Sequence, residues 1–229
     1  MHKKYFSPET CKTIKVSIVL CPIFRMEPQE KILTSALAQF FKYGIKHVTM
    51  DDIAKELGMS KKTIYQFYKE KDDLVNQLCE LQMKDHKCDF MKISEDAKDP
   101  IHEIMLLSEH LRKMLQNINP VFFLDLQKFY PTAFKIYQKF KEDCAYQNIL
   151  TNIKSGIEAG IYRSELDPEF AARLRLAQID MLMFGGYFNY EKVTFAKAHE
   201  LVLDIFVYGI CTVKGHKLFD EYRKIKNEA

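Results

Sequence analysis

The chain has 229 residues, room for one large domain or a small one joined to a larger one; 47% are apolar and 28% charged, which excludes a disordered or low-complexity chain. Eight glycines and seven prolines are too few for collagen-like sequence and argue against a many-turned β-sandwich. With 34 Lys and Arg against 31 Asp and Glu the net charge is only +3, so a nucleic-acid partner must announce itself locally.

The first 25 residues place Lys3, Lys4, Lys12 and Lys15 ahead of an apolar run from Val16 to Phe24, a faint imitation of a secretory signal. Pro22 breaks the run and no small-x-small cleavage site follows. Residues 1–25 are therefore expected to be an N-terminal extension outside the fold. No stretch reaches the roughly 18 unbroken apolar residues of a membrane span, so a cytoplasmic protein without a membrane partner is expected. Cysteines 11, 21, 79, 88, 144 and 211 form no CxxC pair and read as reduced thiols. Cys79, His86 and Cys88 offer three zinc donors without a fourth, too weak a set to predict a metal.

From Met26 onward the period is helical. Ile32, Leu33, Ala36, Leu37, Phe40 and Phe41 form one apolar stripe that ends at Gly44. Thr49 to Asp52 has the form of a capping box and opens a short helix carrying Ile53, Ala54 and Leu57, which Gly58 stops. Ser60 is placed to cap a third helix, and Asp72 and Asp73 suit the start of a fourth with Leu74, Val75, Leu78 and Leu81 on its apolar face. The second and third helices make a helix-turn-helix, with Ile53, Leu57 and Ile64 inside and Lys61, Lys62, Thr63, Tyr65 and Gln66 outside. Between residues 58 and 71 four lysines face Glu70 alone, a local footprint for a polyanion. A solvated hairpin whose lysines merely meet water is the alternative.

Residues 94–100 are polar and turn-rich, the best linker candidate, and separate an N-terminal unit (26–93) from a larger one (101–229). Asp99-Pro100, Asn119-Pro120 and Asp167-Pro168 each put a capping residue before a proline, and Pro131 opens a helix after Tyr130. Gly160 and Gly215 read as stops. The expectation is an all-α chain of nine or ten helices. The runs 176–188 and 201–213 are apolar nearly all round, so they must be covered on every face, by the core and by a second subunit. Leu182, Gly185, Gly186, Val202, Ile205, Phe206 and Gly209 are the expected dimerisation residues. Met105, Phe122, Phe129, Tyr130, Phe134 and Tyr137 belong to a Met- and aromatic-rich stretch that could line an apolar cavity, although plain core is the commoner use. His102, Glu103, Glu109 and His110 lack the spacing that puts two histidines on adjacent turns, so no metal is expected. No nucleophile elbow, phosphate-cradling glycine loop or Ser/His/Asp frame is present. Neither an enzyme nor a cofactor is predicted.

Ile32-Leu33, Ala36-Leu37, Phe40-Phe41 and Gly44, then Val48 to Ala54, Leu57 to Lys61 and Thr63 to Tyr65, then Lys71 and Leu74, resemble the DNA-binding domain of the TetR/AcrR family of transcriptional regulators. The resemblance covers about sixty residues; the remaining chain matches only in layout. It implies a helix-turn-helix DNA-binding domain followed by a larger helical domain that dimerises and holds a small-molecule effector. It also implies roles: Thr49, Lys61, Thr63 and Gln66 at bases or backbone, Tyr65 and Lys71 at phosphate. The implied function is a dimeric repressor on an inverted-repeat, double-stranded operator. An adaptor whose helix-turn-helix binds protein is the rival. The order Phe67-Tyr68 departs from the family's Tyr or His followed by Phe, leaving the place of the hydroxyl open.

Overall fold

A computed structural model describes residues 27–190 and 192–228. The helices are α1 (Pro28–Tyr43), α2 (Met50–Glu56), α3 (Lys61–Phe67), α4 (Lys71–Asp96), α5 (Pro100–Leu115), α6 (Val121–Phe129), α7 (Pro131–Phe140), α8 (Tyr146–Glu158), α9 (Pro168–Phe184), α10 (Phe195–Ile210) and α11 (Val213–Glu228). A π-helical turn, Lys141–Ala145, fuses α7 and α8 into one rod. The fold is all-α, as the periodicity predicted, and the only β pairing among the described residues is an isolated bridge between Tyr162 and Cys211. The expected extension at residues 1–25 lies outside the described residues.

The first four helices close on one apolar cluster in which Ile32, Ala36, Phe40, Ile53, Ile64 and Leu74 are fully or almost fully buried. α4 is long, 26 residues or about 39 Å, and only its first half carries buried residues: Leu74, Val75, Leu78 and Cys79. Leu126, Tyr130 and Ala133 from the α6–α7 region join the same cluster, so the helix-turn-helix shares a core with the helices that follow it. A second cluster gathers Ile101, Ile153, Tyr162, Leu203, Phe206 and Phe219, and a third gathers Leu115, Phe123, Leu182 and Phe195.

Local chemistry sets most boundaries. Asp99 accepts from the Ile101 and His102 N–H groups, and Asp167 from those of Glu169 and Phe170, each with proline in the first turn. Gly160 ends α8 at φ +66°. Several expected boundaries shift. α4 runs on through Asp96, so the connection to α5 is only Ala97–Asp99. Asn119 caps α6 through the Val121 N–H, with Pro120 still outside the helix. α9 stops at Phe184, because Gly185 and then Gly186, at φ +62°, turn the chain away. The apolar run 201–213 is two elements: the chain breaks at Cys211, where Arg163 N–H donates to the Ile210 carbonyl and Thr212 N–H to that of Ile161. Gly215 is no stop. It sits in the first turn of α11, where a Cβ would come 2.4 Å from the Ile161 carbonyl oxygen, so glycine there permits close packing. Cys79, Cys144 and Cys211 are free thiols as expected, whereas Cys88 is disulfide-bonded.

Candidate DNA-binding face and effector cavity

Both short helices begin on a side-chain cap. Thr49 Oγ1 accepts from the Asp52 N–H while Asp52 Oδ2 accepts from the Thr49 N–H at 2.8 Å, the reciprocal capping box expected from the spacing. The Thr49 hydroxyl, which donates to Asp52 Oδ2 at 2.7 Å, and then the Thr49 N–H hold the Asp52 carboxyl below its usual range. The turn uses Gly58 at φ +62°, and Ser60 Oγ accepts from the Thr63 N–H to start α3. Ile53 and Ile64 lock the two helices together from inside.

The outward side of α3 presents Lys61, Lys62, Tyr65 and Gln66, all exposed, with Thr63 half-buried. Lys61 Nζ lies 2.8 Å from Asp51 Oδ1 across the hairpin. That pair is exposed and screened by water, so a stronger anion can displace it. Tyr68 is buried and Phe67 exposed, so the hydroxyl of this pair points into the protein and not toward a duplex. Lys71 is half-buried, its ammonium 3.5 Å from the Lys46 carbonyl oxygen and 5.8 Å from the rings of both Phe40 and Tyr130, and burial pushes its pKa down.

The loop before α2 is tied to α6. The Lys46 N–H donates to Asp125 Oδ2 at 2.7 Å, the Asn119 N–H to the Phe41 carbonyl at 2.7 Å, and Phe41 meets Phe122 edge to face at 5.0 Å. Asp125 is buried, and its bond satisfies an N–H of the loop leading into the helix-turn-helix. Nothing in the sequence pattern assigned this joint, although a lone Asp inside Val121-Phe-Phe-Leu-Asp125-Leu was its available signal.

Behind the joint is a cavity of about 190 Å³. Leu37, Phe40 and Phe41 line it from α1, Val75, Leu78 and Cys79 from α4, Phe122, Phe123 and Leu126 from α6, and Arg175, Ile179, His199 and Phe206 from α9 and α10. Of the six residues expected to line a pocket, Phe122 and Tyr137 do. Tyr130 is core, Met105 packs on the second cluster, Phe134 stacks on Tyr137 at 6.0 Å, and Phe129 lies at the surface beneath Lys46. Tyr137 donates to Asp180 Oδ1 at 2.9 Å and Lys141 reaches Asp180 Oδ2 at 2.7 Å, which accounts for the acid inside an apolar helix.

The expected dimerisation residues divide. Leu182, Val202 and Phe206 lie in the protomer's own core, at 2%, 9% and 3% exposure. Ile205, at 72%, and Gly209 face outward, and Gly185 and Gly186 follow the end of α9. Phe170, Leu174, Leu201 and Tyr208 are exposed on the same two helices. Cys79, His86 and Cys88 are not brought together as metal donors; the nearest approach to a metal-binding set is His86, Asp89 and His110, whose donor atoms all lie within 4.8 Å of one another. Among the described residues no helix is long and apolar enough to cross a membrane.

Two capped helices that turn lysines, a tyrosine and a glutamine to solvent, on a scaffold of packed helices, are what a duplex reader presents, and the class is a DNA-binding helix-turn-helix transcriptional regulator. Residues 32–78 match the profile of the bacterial regulatory proteins of the tetR family. The HTH-type transcriptional regulator YhgD of Bacillus subtilis is 28% identical over 172 residues, covering 69% of this chain and 84% of YhgD. HTH-type transcriptional regulator SAB2452 of Staphylococcus aureus is 26% identical over 56% of this chain and 80% of its own length. Among solved structures, a putative transcriptional regulator from Saccharomonospora viridis in complex with choline superposes with a TM-score of 0.67 at 20% identity, covering 80% of this chain and 97% of its own. FadR of Bacillus subtilis in complex with stearoyl-CoA gives 0.63 at 20% identity, over 79% and 98%. Residues 32–78 thus carry the helix-turn-helix domain of the tetR-family regulators, and over two thirds of its length the chain is similar to an HTH-type transcriptional regulator.

Proposed function

We propose that the protein is a dimeric repressor that binds an inverted-repeat operator and is released by a small apolar or amphipathic molecule. One observation carries the reading: the cavity is lined both by α1 and α4, which support the helix-turn-helix, and by α5 to α10 of the larger helical part. A ligand that spreads these walls shifts the Lys46–Asp125 joint and with it the angle at which α3 is offered to DNA. Such a ligand binds the two arrangements unequally, and that inequality is the coupling free energy. The choline and stearoyl-CoA complexes of structural neighbours support an effector at the cavity.

On this reading Thr49, Lys62, Thr63 and Tyr65 contact backbone or base edges at the α2–α3 face, and Lys61 and Gln66 read bases. Lys71 serves the phosphate backbone. The second subunit covers the exposed stripe of Leu201, Ile205 and Tyr208 with Phe170 and Leu174 beside it, while Leu182, Val202 and Phe206 stiffen it from behind. The two α3 helices of a dimer then meet half-sites about one helical turn, or a multiple, apart. Selection of bound duplexes from a random pool by the full chain tests the reading. An inverted repeat is expected; a pool that stays random at moderate salt overturns it.

A further inference from the structure

The cavity wall holds a buried cation that no acid among the described residues pairs with. Arg175, on the inner side of α9, is 7% exposed and lines the cavity together with His199 and Asn152. Its Nη2 lies 3.0 Å from His199 Nε2 and its Nη1 3.5 Å from Gln178 Oε1, and its guanidinium sits 5.6 Å from the centre of the Phe206 ring. No carboxylate among the described residues pairs with it. The contrast with its neighbours is informative. Arg112 and Arg173, both more exposed, each hold a glutamate at 2.6 Å, and the cavity's other cation, Lys141, holds Asp180 at 2.7 Å. Proteins ordinarily do the reverse, because an uncompensated charge out of water is among the costliest groups a fold can contain. An arginine has five N–H donors in a planar fork, and two acceptors, one of them distant, leave most of that fork unanswered.

We propose that Arg175 receives the head of an amphipathic monoanion, a carboxylate whose apolar tail fills the cavity. A carboxylate matches the fork with two parallel charge-assisted hydrogen bonds. The walls supply the rest of the argument: they include Leu176 and Ile179 from α9, Phe123 from α6 and Leu37 from α1, which suit a hydrocarbon and not a hydrated anion. His199 Nε2, as the acceptor of an Arg175 N–H, fixes the plane of the fork from the α10 side. Burial lowers the Arg175 pKa only to about 10, so the group is cationic at neutral pH and available to an anion. Occupancy by such a ligand links α9 and α10, at the outer stripe, to the walls beneath the helix-turn-helix. The inference rests on the effector reading above and names the chemical class of that effector.

The test titrates the full chain calorimetrically with octanoate, octanol, octylammonium and acetate, and follows release of a selected operator duplex in parallel. Octanoate is expected to bind at least about tenfold more tightly than octanol, the usual margin for a hydrogen bond to a charged group, with octylammonium and acetate weaker still. Arg175→Met is expected to fold, because replacing an unpaired buried charge with an apolar chain is neutral or stabilising, and to erase the preference of octanoate over octanol. Arg175→Lys keeps the charge without the fork and should retain only part of it. Equal binding of octanoate and octanol to the natural chain, with the operator released by both, overturns the anion site while leaving the effector reading intact. Binding by none of the four, with the operator held throughout, overturns both.

Discussion

The helix-turn-helix and the α9–α10 pair are each a pair of neighbouring helices with one face in water, and the two faces are made of opposite materials. α3 turns out lysines, Tyr65 and Gln66, and the acid nearest them, Asp51, is already paired with Lys61. The α9–α10 pair turns out Phe170, Leu174, Leu201, Ile205 and Tyr208 and keeps Asp204 occupied with Arg223 at 2.9 Å. Charge acts over several ångströms and suits a polyanion whose counterions are released on binding. Apolar area stabilises only in contact, at about 25 cal/mol per Å², and suits a surface of its own kind. What an exposed face has been cleared of therefore indicates its partner as plainly as what it carries.

The comparison breaks most sharply at Ile205. In the protomer it is 72% exposed, so Ile205→Glu costs the isolated fold little, whereas in a dimer it buries an unpaired charge at several kcal/mol. Sedimentation should show a monomer with the helical content of the parent, and operator affinity should fall by at least about a hundredfold, since both half-sites are no longer held together. Phe206→Glu, one residue along and 3% exposed, should instead lose the fold itself. If Ile205→Glu still sediments as a dimer, the stripe is not the interface.

The next effect separates residues within the charged face. Gln66→Ala should cost about 1–3 kcal/mol at one base pair and relax the preference there. Lys61→Ala should do the same toward the lower end of that range, because Lys61 must first leave Asp51. Lys71→Ala should weaken operator and scrambled duplex alike and lower the salt slope by about one per subunit. Affinities for both duplexes at several salt concentrations decide it: equal losses for all three variants on both duplexes mean that α3 reads no sequence.

The two regions were also unequally legible. In the helix-turn-helix every signal is local: a capping box closes over three residues, a glycine makes a turn, and a stripe of isoleucines faces inward whatever lies beyond. Those elements appear where the periodicity put them. Around α9 and α10 the decisive facts are contacts between residues far apart in sequence. The 201–213 run reads as one helix until Cys211 pairs with Tyr162, and Gly215 reads as a stop until α11 packs on the Ile161 carbonyl. Apolarity all round says that the two helices must be covered but not which side faces inward, so it does not separate Leu182, Val202 and Phe206 from Ile205. The cavity was the least legible part. Two of its polar groups, Arg175 and His199, are 24 positions apart, and a stretch rich in aromatics does not tell lining from core.

The smallest expected effect is a pH dependence that arises between α4 and α5, away from both faces. His86 on α4 packs against His110 on α5, ring centres 5.6 Å apart, and burial, followed by the neighbouring His110, pushes its pKa down to about 4. An unfolded histidine takes up its proton near pH 6.5, so between about pH 6.5 and 4 the unfolded chain holds the extra proton. The contribution is fully present above pH 6.5 and is lost as the pH falls toward 4. His110 is shifted the same way by burial, partly opposed by Asp89, while the carboxyl of Asp85 is pushed up by burial and works in the opposite sense. The difference between the natural chain and His86→Leu isolates the single group. Melting temperatures followed from pH 7 to pH 4.5 in chelator should fall less steeply for His86→Leu. Parallel curves for His86→Leu and the natural chain would show that acid acts elsewhere in the fold.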